Sequence, residues 1–484
     1  MNLDDTIVAI ATPPGRGGIG VVRLAGPDAR AIAKPMLRLK HELEPGRAVF
    51  GELIEPFGAD IPIRQVTEPA LSPESATQAD GRGRPSPHGL RIDEVVVTYF
   101  AKPHSYTTDD IIEISAHGSP VVLRHVVELA LASGARLAEP GEFTMRAFLN
   151  GRIDLTQAEA VRDLIDSQTL YQAKVAAQQL DGALSRRLQP TKQKLIELVA
   201  VLEAGIDFAE DDVSVLPATH ILEHIATIRA PLEELAQSFS YGKIVHEGLT
   251  LAIVGRPNVG KSSLFNRLVE RERAIVTATP GTTRDLVTET VSLGGIPIHL
   301  VDTAGIRRAL DEAESIGIRK SLEALADADL VLVVVDASQP ISSEDTTLLS
   351  QVEQRAAIVV HNKADLAPAS TSPSSNDDKP TLQTSAVTGQ GIPELREAIL
   401  QHVSGDAGTS SESGGFLTSA RHQRLVQDSI AALDAARTAT NNRIPHEMIL
   451  LDLYNALKAL DEITGATTTD DILNLIFSRF CIGK

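Results

Sequence analysis

The stretch LTLAIVGRPNVGKSS, residues 249–263, decides the fold of the middle third of this 484-residue chain. Its first seven residues form an apolar run that is typical of a buried parallel strand. The rest matches the phosphate-binding pattern G-x-x-x-x-G-K-[ST] in its strand–loop–helix context. The glycines let backbone N–H groups approach phosphates, Lys261 can reach the β- and γ-phosphates, and the Ser262 hydroxyl can bind Mg²⁺. The stretch therefore predicts a nucleotide-phosphate site.

Two later motifs predict which nucleotide is bound. The strand-like run IPIHLVD ends in Asp302-Thr-Ala-Gly305, which places Asp302 for the metal shell and the Gly305 N–H for a γ-phosphate. Asn362-Lys363-Ala364-Asp365 follows another apolar run, and an Asp carboxylate there can accept the ring N–H and the exocyclic amino group of guanine. Adenine lacks that donor pair, so such a site rejects it. Ser385-Ala386 would complete a guanine pocket.

The groups that would drive hydrolysis are less defined. Thr283, in Gly281-Thr-Thr-Arg-Asp285, is a candidate switch ligand for Mg²⁺, although a polar loop is the alternative interpretation. The position that orients water with Gln in Ras-type GTPases is Ile306 here, which leaves Asp311, Glu312 and Glu314 as candidates. No arginine finger is identifiable among Arg256, Arg284 and Arg307, and the Asn258 carbonyl oxygen could hold a monovalent cation instead.

The chain is long enough for two to four domains. Residues 1–118 read mainly as strands, and PVVLRHVVELALASGA, from Pro120, predicts a helix, so the first core could run to about 150. Helical spacing follows to 245, with Asp154 and Gln157 as a predicted N-terminal capping pair. Residues 246–403 alternate strands and helices, and 404–484 is again helical. An α/β domain inserted into a helical domain is therefore expected.

Composition limits the function classes. Hydrophobic residues make up 43% and charged residues 23%, which is typical of globular proteins, and the net charge is −19. A single cysteine, Cys481, fits a reducing cytosol, and no stretch predicts a signal peptide or a membrane span, so a cytoplasmic protein is expected. Residues 64–90 and 367–380 predict solvated surface insertions.

Gly15-Arg-Gly17-Gly18-Ile-Gly20 formally matches the dinucleotide pattern G-x-G-x-x-G. The strand-like VVRLAG follows it, whereas a dinucleotide fingerprint must open a helix. A Rossmann site is therefore rejected.

Taken together, these residues resemble the MnmE (TrmE) family of tRNA-modification GTPases over nearly the whole length. The most specific matches are ATPPGRGGIGVVRLAG, PGEFTMRAFLNGRIDLTQAEA, IVTATPGTTRD, DTAGIR and the terminal FCIGK. The resemblance implies an α+β N-terminal domain that dimerises and binds tetrahydrofolate (1–118), a helical domain in two segments (119–245 and 404–484), and an inserted Ras-like P-loop G domain (246–403). It also implies GTP as substrate, Mg²⁺, and potassium-dependent hydrolysis activated when two G domains meet.

The resemblance also implies roles for particular positions. Potassium would be held by Asn258, Thr277, Thr279 and Thr282, and Mg²⁺ by Ser262 and Thr283. Glu314 would orient the water, and Lys261 and Cys481 would take part in catalysis. The nucleotide would be bound by these further residues together with the motifs above: Val259, Gly260, Ser263, Ala278, Pro280, Gly281, Thr303, Ala304, Ala364 and Val387.

The implied one-carbon donor is formyl-tetrahydrofolate, at Arg23, Glu113, Arg152 and Lys484, with Arg152 where many relatives have Lys. The implied partners are a second copy, the flavoprotein MnmG (GidA) in a heterotetramer, and tRNA, whose wobble uridine receives a carboxymethylaminomethyl or aminomethyl group at C5. A regulatory GTPase of ribosome assembly is the alternative, but it would be expected to carry a basic RNA-binding appendage. A membrane-acting mechanical GTPase is a second alternative, and it would be expected to carry a membrane-binding segment. Neither a basic appendage nor a membrane-binding segment is evident in the sequence.

Overall fold

The computed structural model describes residues 4–55, 90–207, 216–269, 289–302, 328–367, 379–404, 415–467, 473, 476–478 and 480–483. The chain folds into two compact units, Met1–Ala158 with Thr468–Lys484, and Glu159–Thr467. The predicted insertions at 64–90 and 367–380 lie almost wholly outside the described residues. In the described part of the chain, no helix is both long and apolar enough to cross a membrane.

The first unit is built on a seven-stranded sheet of order β3-β4-β5-β6-β2-β1-β7, antiparallel except for the β1–β7 pair. Strands β2, β4 and β6 largely alternate buried with less buried side chains, as expected where one face of a sheet is covered. Strand β1 is buried on both faces, since Val8 belongs to the main core and Ile7 and Ala9 to a second cluster with Phe143. The strands are β1 Ile7–Ile10, β2 Ile19–Ala25, β3 Leu37–Leu39, β4 Ala48–Ile54, β5 Arg91–Phe100, β6 Ile111–His117 and β7 Arg136–Leu137. Strand β2 includes the last two residues of the G-x-G-x-x-G match, which confirms the strand predicted for the run after this motif.

Three helices accompany this sheet: α1 Ala29–Ala33, α2 Pro120–Ala132 and α3 Glu142–Leu149, with a 3-10 turn at Lys34–Met36. Helix α2 shares the core of the sheet, since Leu123, Val126 and Leu129 pack with the strand residues Val22 and Ile114. A domain boundary at residue 118 would cut this core, whereas a core that runs to about 150 would not.

The second unit begins with a helical segment: α4 Leu155–Asp166 (which starts in the first unit), α5 Leu170–Leu180, α6 Ala183–Asp207, α7 Ala218–Gln237 and α8 Phe239–Glu247. The predicted cap of α4 is confirmed. The Gln157 N–H donates to the Asp154 carboxylate at 2.9 Å, and the Asp154 N–H donates to the Gln157 side chain at 3.0 Å. Such a reciprocal cap satisfies two N–H groups that the first turn leaves free.

Next comes a six-stranded sheet of order β13-β12-β11-β8-β10-β9, parallel except for edge strand β9. Its strands are β8 Leu249–Val254, β9 Glu289–Leu293, β10 Ile296–Asp302, β11 Leu330–Asp336, β12 Ala357–Asn362 and β13 Thr381–Gln383. Helices α9 Lys261–Val269, α10 Ser343–Gln351 and α11 Ile392–Ser404 belong to the same block, with a 3-10 turn at Ala364–Leu366. The carboxyl ends of the parallel strands share one edge, where such sheets bind ligands.

Two helices close the unit, α12 Ala420–Asn441 and α13 His446–Thr464. They share one hydrophobic core with α6 and α7, in which Leu202 and Ile225 pack with Leu433 and Leu453. An ion pair of 2.9 Å between Arg229 Nε and Asp434 joins α7 to α12. Helices from both sides of the α/β block therefore form one bundle, which confirms the predicted insertion.

Candidate functional site

The phosphate loop lies between β8 and α9, as predicted. Gly255 has φ +155°, and a Cβ there would come within 2.3 Å of the Val334 carbonyl oxygen on β11. At Gly260, with φ +94°, a Cβ would come within 2.3 Å of the Asn362 side-chain nitrogen. The glycines are thus needed both for their backbone angles and because the loop passes so close to its neighbours.

Lys261 and Asn258 occupy distinct positions in this loop. The Lys261 side chain is 8% exposed, and its ammonium donates to the carbonyl oxygens of Gly255 at 2.8 Å and Arg256 at 2.7 Å. Asn258 has the left-handed φ of +64° and is exposed. Ser262 and Ser263 are exposed in the first turn of α9. The positive charge is therefore buried beneath the loop, while the amide and hydroxyl groups lie at its surface.

Part of the predicted site can be placed only in sequence. Asp302 ends β10, where its Cα pairs with Ile253 of β8, at the same sheet edge as the phosphate loop. These predicted residues lie outside the described part of the chain, and their roles stay predictions: Thr277, Ala278, Thr279, Pro280, Gly281, Thr282, Thr283, Thr303, Ala304, Gly305, Glu314 and Lys484. The same holds for the other candidate arginines and acids, Arg284, Arg307, Asp311 and Glu312.

Asn362 joins the predicted base pocket to the phosphate loop. It ends β12 and is 1% exposed. Its side-chain N–H donates to the Val259 carbonyl oxygen at 2.9 Å, and its side-chain oxygen accepts from the Ala386 N–H at 3.1 Å. Because Asn362 bonds both segments at once, it links the phosphate loop directly to the 385–387 loop.

The rest of the base pocket follows the predicted order. Asp365, in the 3-10 turn after Asn362, is exposed, and the Ala364 N–H donates to the Thr384 carbonyl oxygen at 3.0 Å. Ser385 is fully buried and its hydroxyl accepts from the Thr388 N–H at 3.1 Å, whereas Val387 is 77% exposed. The buried groups fix the loop, and the Asp365 side chain is accessible to a base.

Asp336 also lies beside this site, although it is not among the residues predicted from the sequence. It ends β11 beside Asn362 in the sheet register, and its carboxylate accepts from the Lys363 ammonium at 2.6 Å. Burial alone would raise the pKa of Asp336, but hydrogen bonds from Lys363 and Ser338 outweigh it and lower the pKa. Lys363 has φ +66°, so a strained residue is held by an ionised partner. The available signal was a polar residue at the end of the apolar run LVLVVV.

Arg256 does not resemble a mobile finger. Its guanidinium Nε donates to Asp345 at 2.8 Å, and Asp345 is 1% exposed at the start of α10. Asp345 also caps α10 through Ser342, and these bonds together with Arg256 lower its pKa against the effect of burial. This arginine anchors the phosphate loop to the neighbouring helix.

A second cluster, the Arg23 cluster, lies in the first unit and consists of Arg23, Glu113, Arg152 and Tyr106. It contains three of the four residues assigned to the one-carbon donor. Arg23 on β2 and Glu113 on β6 are direct partners in the sheet register, and the Arg23 Nη2 lies 2.7 Å from the Glu113 carboxylate. Arg23 Nη1 also donates to the Gly483 carbonyl oxygen at 3.4 Å. The backbone next to Lys484 therefore reaches the same pair.

Tyr106 completes this cluster, although no sequence pattern pointed to it. The Arg152 guanidinium lies 5.0 Å from the Tyr106 ring centroid and donates to the Tyr106 carbonyl oxygen at 2.8 Å. Arg23 lies 5.8 Å from the same ring, and the phenol bonds the Thr144 hydroxyl at 2.9 Å. Burial raises the Tyr106 pKa, so the phenol stays neutral. Two cations thus lie against one aromatic ring, and one of them is paired with a carboxylate.

Cys481 is exposed, and its carbonyl oxygen accepts from the Gly141 N–H at 3.4 Å, at the start of α3. This bond holds the backbone of the terminal segment in the first unit. It leaves the thiol accessible, in keeping with the predicted role but without testing it.

Comparisons with known proteins follow the same division. The family model of the GTP-binding protein TrmE N-terminus matches residues 6–152, and that of the MnmE helical domain matches residues 155–481. The tRNA modification GTPase MnmE of Koribacter versatilis (strain Ellin345) is 67% identical, with 100% of both chains covered. That of Aquifex aeolicus (strain VF5) is 41% identical, covering 99% of this chain and 100% of its own.

Two solved structures resemble part of the chain. The G domain of the T. maritima FeoB iron transporter is 30% identical over 32% of this chain and 98% of its own, with a TM-score of 0.25. A variant of Aquifex aeolicus Era bound to GDP·AlF4⁻ is 26% identical over 32% of this chain and 56% of its own, also with a TM-score of 0.25. The full-length identities and both family models show that this chain belongs to the MnmE family of tRNA modification GTPases, with a P-loop GTPase domain inserted into a helical domain.

Proposed function

We propose that the chain is the GTP-hydrolysing component of a complex that installs a carboxymethylaminomethyl or aminomethyl group at C5 of the wobble uridine of tRNA. The observation that carries the guanine-nucleotide half is Asn362, whose amide bonds the phosphate loop and the 385–387 loop together. The modification half rests on the tRNA modification GTPases that match along the whole chain.

Magnesium fits the donors that the chain offers. Ser262 is exposed in the first turn of α9, directly after the phosphate loop, and hydroxyl and phosphate oxygens are ligands that Mg²⁺ prefers. Ser262 and Thr283 would hold the ion, and Asp302 would contribute to the metal shell. Such an ion would supply positive charge opposite the phosphates, and Lys261 provides a fixed positive charge beneath the loop.

Potassium would take the place of an arginine finger. Support comes from Asn258, which is exposed and held in a left-handed conformation within the phosphate loop. Its carbonyl oxygen, with Thr277, Thr279 and Thr282, would hold the cation, and two G domains would meet across the nucleotide. Arg256 is held by Asp345, which favours a cation over this arginine as the activating charge. Glu314 would orient the attacking water.

The Arg23 cluster would hold the formyl-tetrahydrofolate donor. Its arrangement fits such a ligand because the Arg23 and Arg152 guanidiniums can pair with carboxylates, the Tyr106 ring can stack on a flat pterin, and Glu113 can accept from ring N–H groups. Lys484 would add a further cation. Cys481, in the same terminal segment and exposed, would line or take part in the modification site.

The assembly would be a homodimer that binds MnmG (GidA) as a heterotetramer in the cytoplasm. The net charge of −19 favours a partner that makes many of the contacts to tRNA, since phosphate contacts need local positive charge. Of the two predicted limits for the N-terminal domain we propose the longer, 1–150, because α2 shares the core of the first sheet. The helical domain would then run from there to 245 and from 404 to 484, with the G domain at 246–403.

The test is the wobble uridine itself. Nucleosides from tRNA of a deletion strain, and of that strain carrying the chain, are compared by mass spectrometry. The modified uridine should disappear on deletion and return on complementation. Unchanged tRNA would contradict the proposal and favour a regulatory GTPase of ribosome assembly.

A further inference from the structure

The β9–β10 hairpin connects two predicted parts of the nucleotide site. Strand β9 begins at Glu289, shortly after the predicted switch residues, and β10 ends at Asp302, which opens the D-x-x-G motif. The turn at the opposite end of the hairpin is Gly294-Gly295. At about 3.3 Å per residue, this turn lies roughly 20 Å from Asp302. A contact at the turn could therefore influence the site only through the strands.

The turn is held by the first residues of helix α5. The Thr169 hydroxyl donates to the Gly295 carbonyl oxygen at 2.5 Å, and Thr169 is 9% exposed. Gly295 has φ +86°, and a Cβ there would come within 2.6 Å of the Tyr171 Cβ, so the Tyr171 side chain packs directly on the turn. A buried hydrogen bond and a close packing contact thus fix the same residue.

A third contact holds the middle of β10. The ring Nε2 of His299 lies 3.0 Å from the Glu247 carbonyl oxygen at the end of α8, and its Nδ1 lies 3.1 Å from the Thr290 hydroxyl on β9. A neutral histidine can donate at Nε2 and accept at Nδ1, which satisfies both contacts. His299 therefore bonds both strands of the hairpin to the helical segment.

Helix α5 is itself fixed to the helical segment. The Gln172 side-chain N–H group donates to the carbonyl oxygens of Val245 at 3.0 Å and His246 at 2.9 Å, and the Tyr171 hydroxyl bonds that of Tyr241 at 2.8 Å. Strand β10 in turn pairs with β8 on one side and β9 on the other. Because both elements are stiff, a shift at the Asp302 end must move the turn or break its contacts.

We propose that Thr169, Tyr171 and His299 form a hairpin latch, a set of positioning residues for GTP hydrolysis. The latch holds β10 so that Asp302 meets the metal shell, and it couples the nucleotide state to the helical segment. By thermodynamic linkage, a nucleotide that favours one position of the hairpin changes the stability of the latch, and the latch changes the affinity for that nucleotide in the same ratio. The inference rests on GTP hydrolysis by this chain and on the predicted place of Asp302.

The test separates positioning from stability. In the full-length protein, Thr169→Val and Tyr171→Ala should each lower the kcat of GTP hydrolysis about tenfold, as expected when a group acts on the chemical step. The KM for GTP should change less than kcat does, by no more than the severalfold that the linkage implies. Thr169→Ser and Tyr171→Phe, which keep the hydroxyl and the ring that contact Gly295, should recover most of that loss. Leu170→Ala, on the same helix but 73% exposed, is the matched control and should have no effect.

Loss of thermal stability with unchanged kcat in both latch variants would overturn the proposal. So would an equal loss of kcat in Leu170→Ala. A second readout needs no variant: amide hydrogen exchange in residues 170–180 of the wild-type protein should differ severalfold between GDP and a non-hydrolysable GTP analogue. Identical exchange would contradict the latch. A wild-type chain that does not hydrolyse GTP would instead contradict the GTPase assignment.

Discussion

The phosphate loop and the Arg23 cluster are assembled in opposite ways. The loop is one contiguous stretch whose residues are close because they are adjacent in sequence. Arg23 and Glu113 are 90 positions apart and meet because β2 and β6 pair in that register. A one-residue slip would move Arg23 to the other face of the sheet. A local motif identifies the first kind of site, whereas only the fold reveals the second.

The largest expected effect is on the preference for GTP over ATP, at the nucleotide site that contains the phosphate loop. Asp365→Asn replaces the acceptor for two guanine donors with a side chain that can satisfy only one of them. The preference for GTP over ATP should fall by about 10³-fold or more, the scale on which such sites reject a base that lacks the donors. Competitive binding of GTP and ATP analogues measures the ratio. A preference unchanged within about threefold would show that guanine is recognised elsewhere.

The next effect concerns water activation. Glu314→Ala should leave GTP binding near normal and lower hydrolysis by about 10²-fold or more, because a positioned acid no longer orients the water. Single-turnover hydrolysis and nucleotide affinity are measured together. Asp311→Ala and Glu312→Ala are the matched controls, since these acids lie nearby in sequence. If either control loses as much activity, the assignment to Glu314 is wrong.

Formyl-tetrahydrofolate binding at the Arg23 cluster should depend on the charge of a single residue. Arg23→Met should weaken formyl-tetrahydrofolate binding about tenfold or more, the value of one charge-assisted hydrogen bond or two, and should leave GTP hydrolysis within about twofold. Arg152→Lys is the matched control, because it keeps a cation beside Tyr106 and should weaken binding less than Arg23→Met does. Titration of the ligand gives both values. Equal affinity in Arg23→Met would remove the cluster from the donor site.

The smallest effect should come from the ion-pair network of Asp5, Arg136, Glu142 and Arg146, which lies in the same unit as the Arg23 cluster. Arg146 is 1% exposed and bonds Glu142, which is fully buried, at 2.9 Å, and Arg136 bonds both Glu142 and Asp5 at 2.6 Å. Burial alone would raise the pKa of Glu142 and of Asp5, but the arginines outweigh it and lower both. The stabilisation is therefore complete above the unfolded-state pKa values and is lost as pH falls through the lower folded-state values.

Urea unfolding of the wild type and Glu142→Gln, at pH 7 and at about pH 3, measures this contribution. The wild type should lose about 2 kcal/mol more than Glu142→Gln on acidification, the order of one hydrogen bond to a charged group. Equal losses in the two proteins would show that the pKa of Glu142 is the same in the folded and unfolded states.

Particular residues show how far sequence reasoning reached. The β8–loop–α9 unit and the Asp154–Gln157 cap were predictable because both depend on residues a few positions apart. Asp336 and Tyr106 were missed because their importance lies in contacts with Lys363, Arg23 and Arg152, which are distant in sequence. The Asp5–Arg146 contact spans 141 positions and carries no local pattern. Such pairs follow from how strands, helices and loops that are distant in sequence pack together, which a single sequence does not contain.

The cation at the phosphate loop is the point on which the proposed mechanism depends most. GTP hydrolysis by the purified protein is measured in potassium and in sodium at fixed ionic strength, with Asn258→Ala in parallel. The account predicts a large stimulation by potassium alone, about tenfold or more for a positioned charge at the transition state, and its loss in the variant. Equal rates in the two salts would leave the GTPase assignment in place and contradict the cation mechanism.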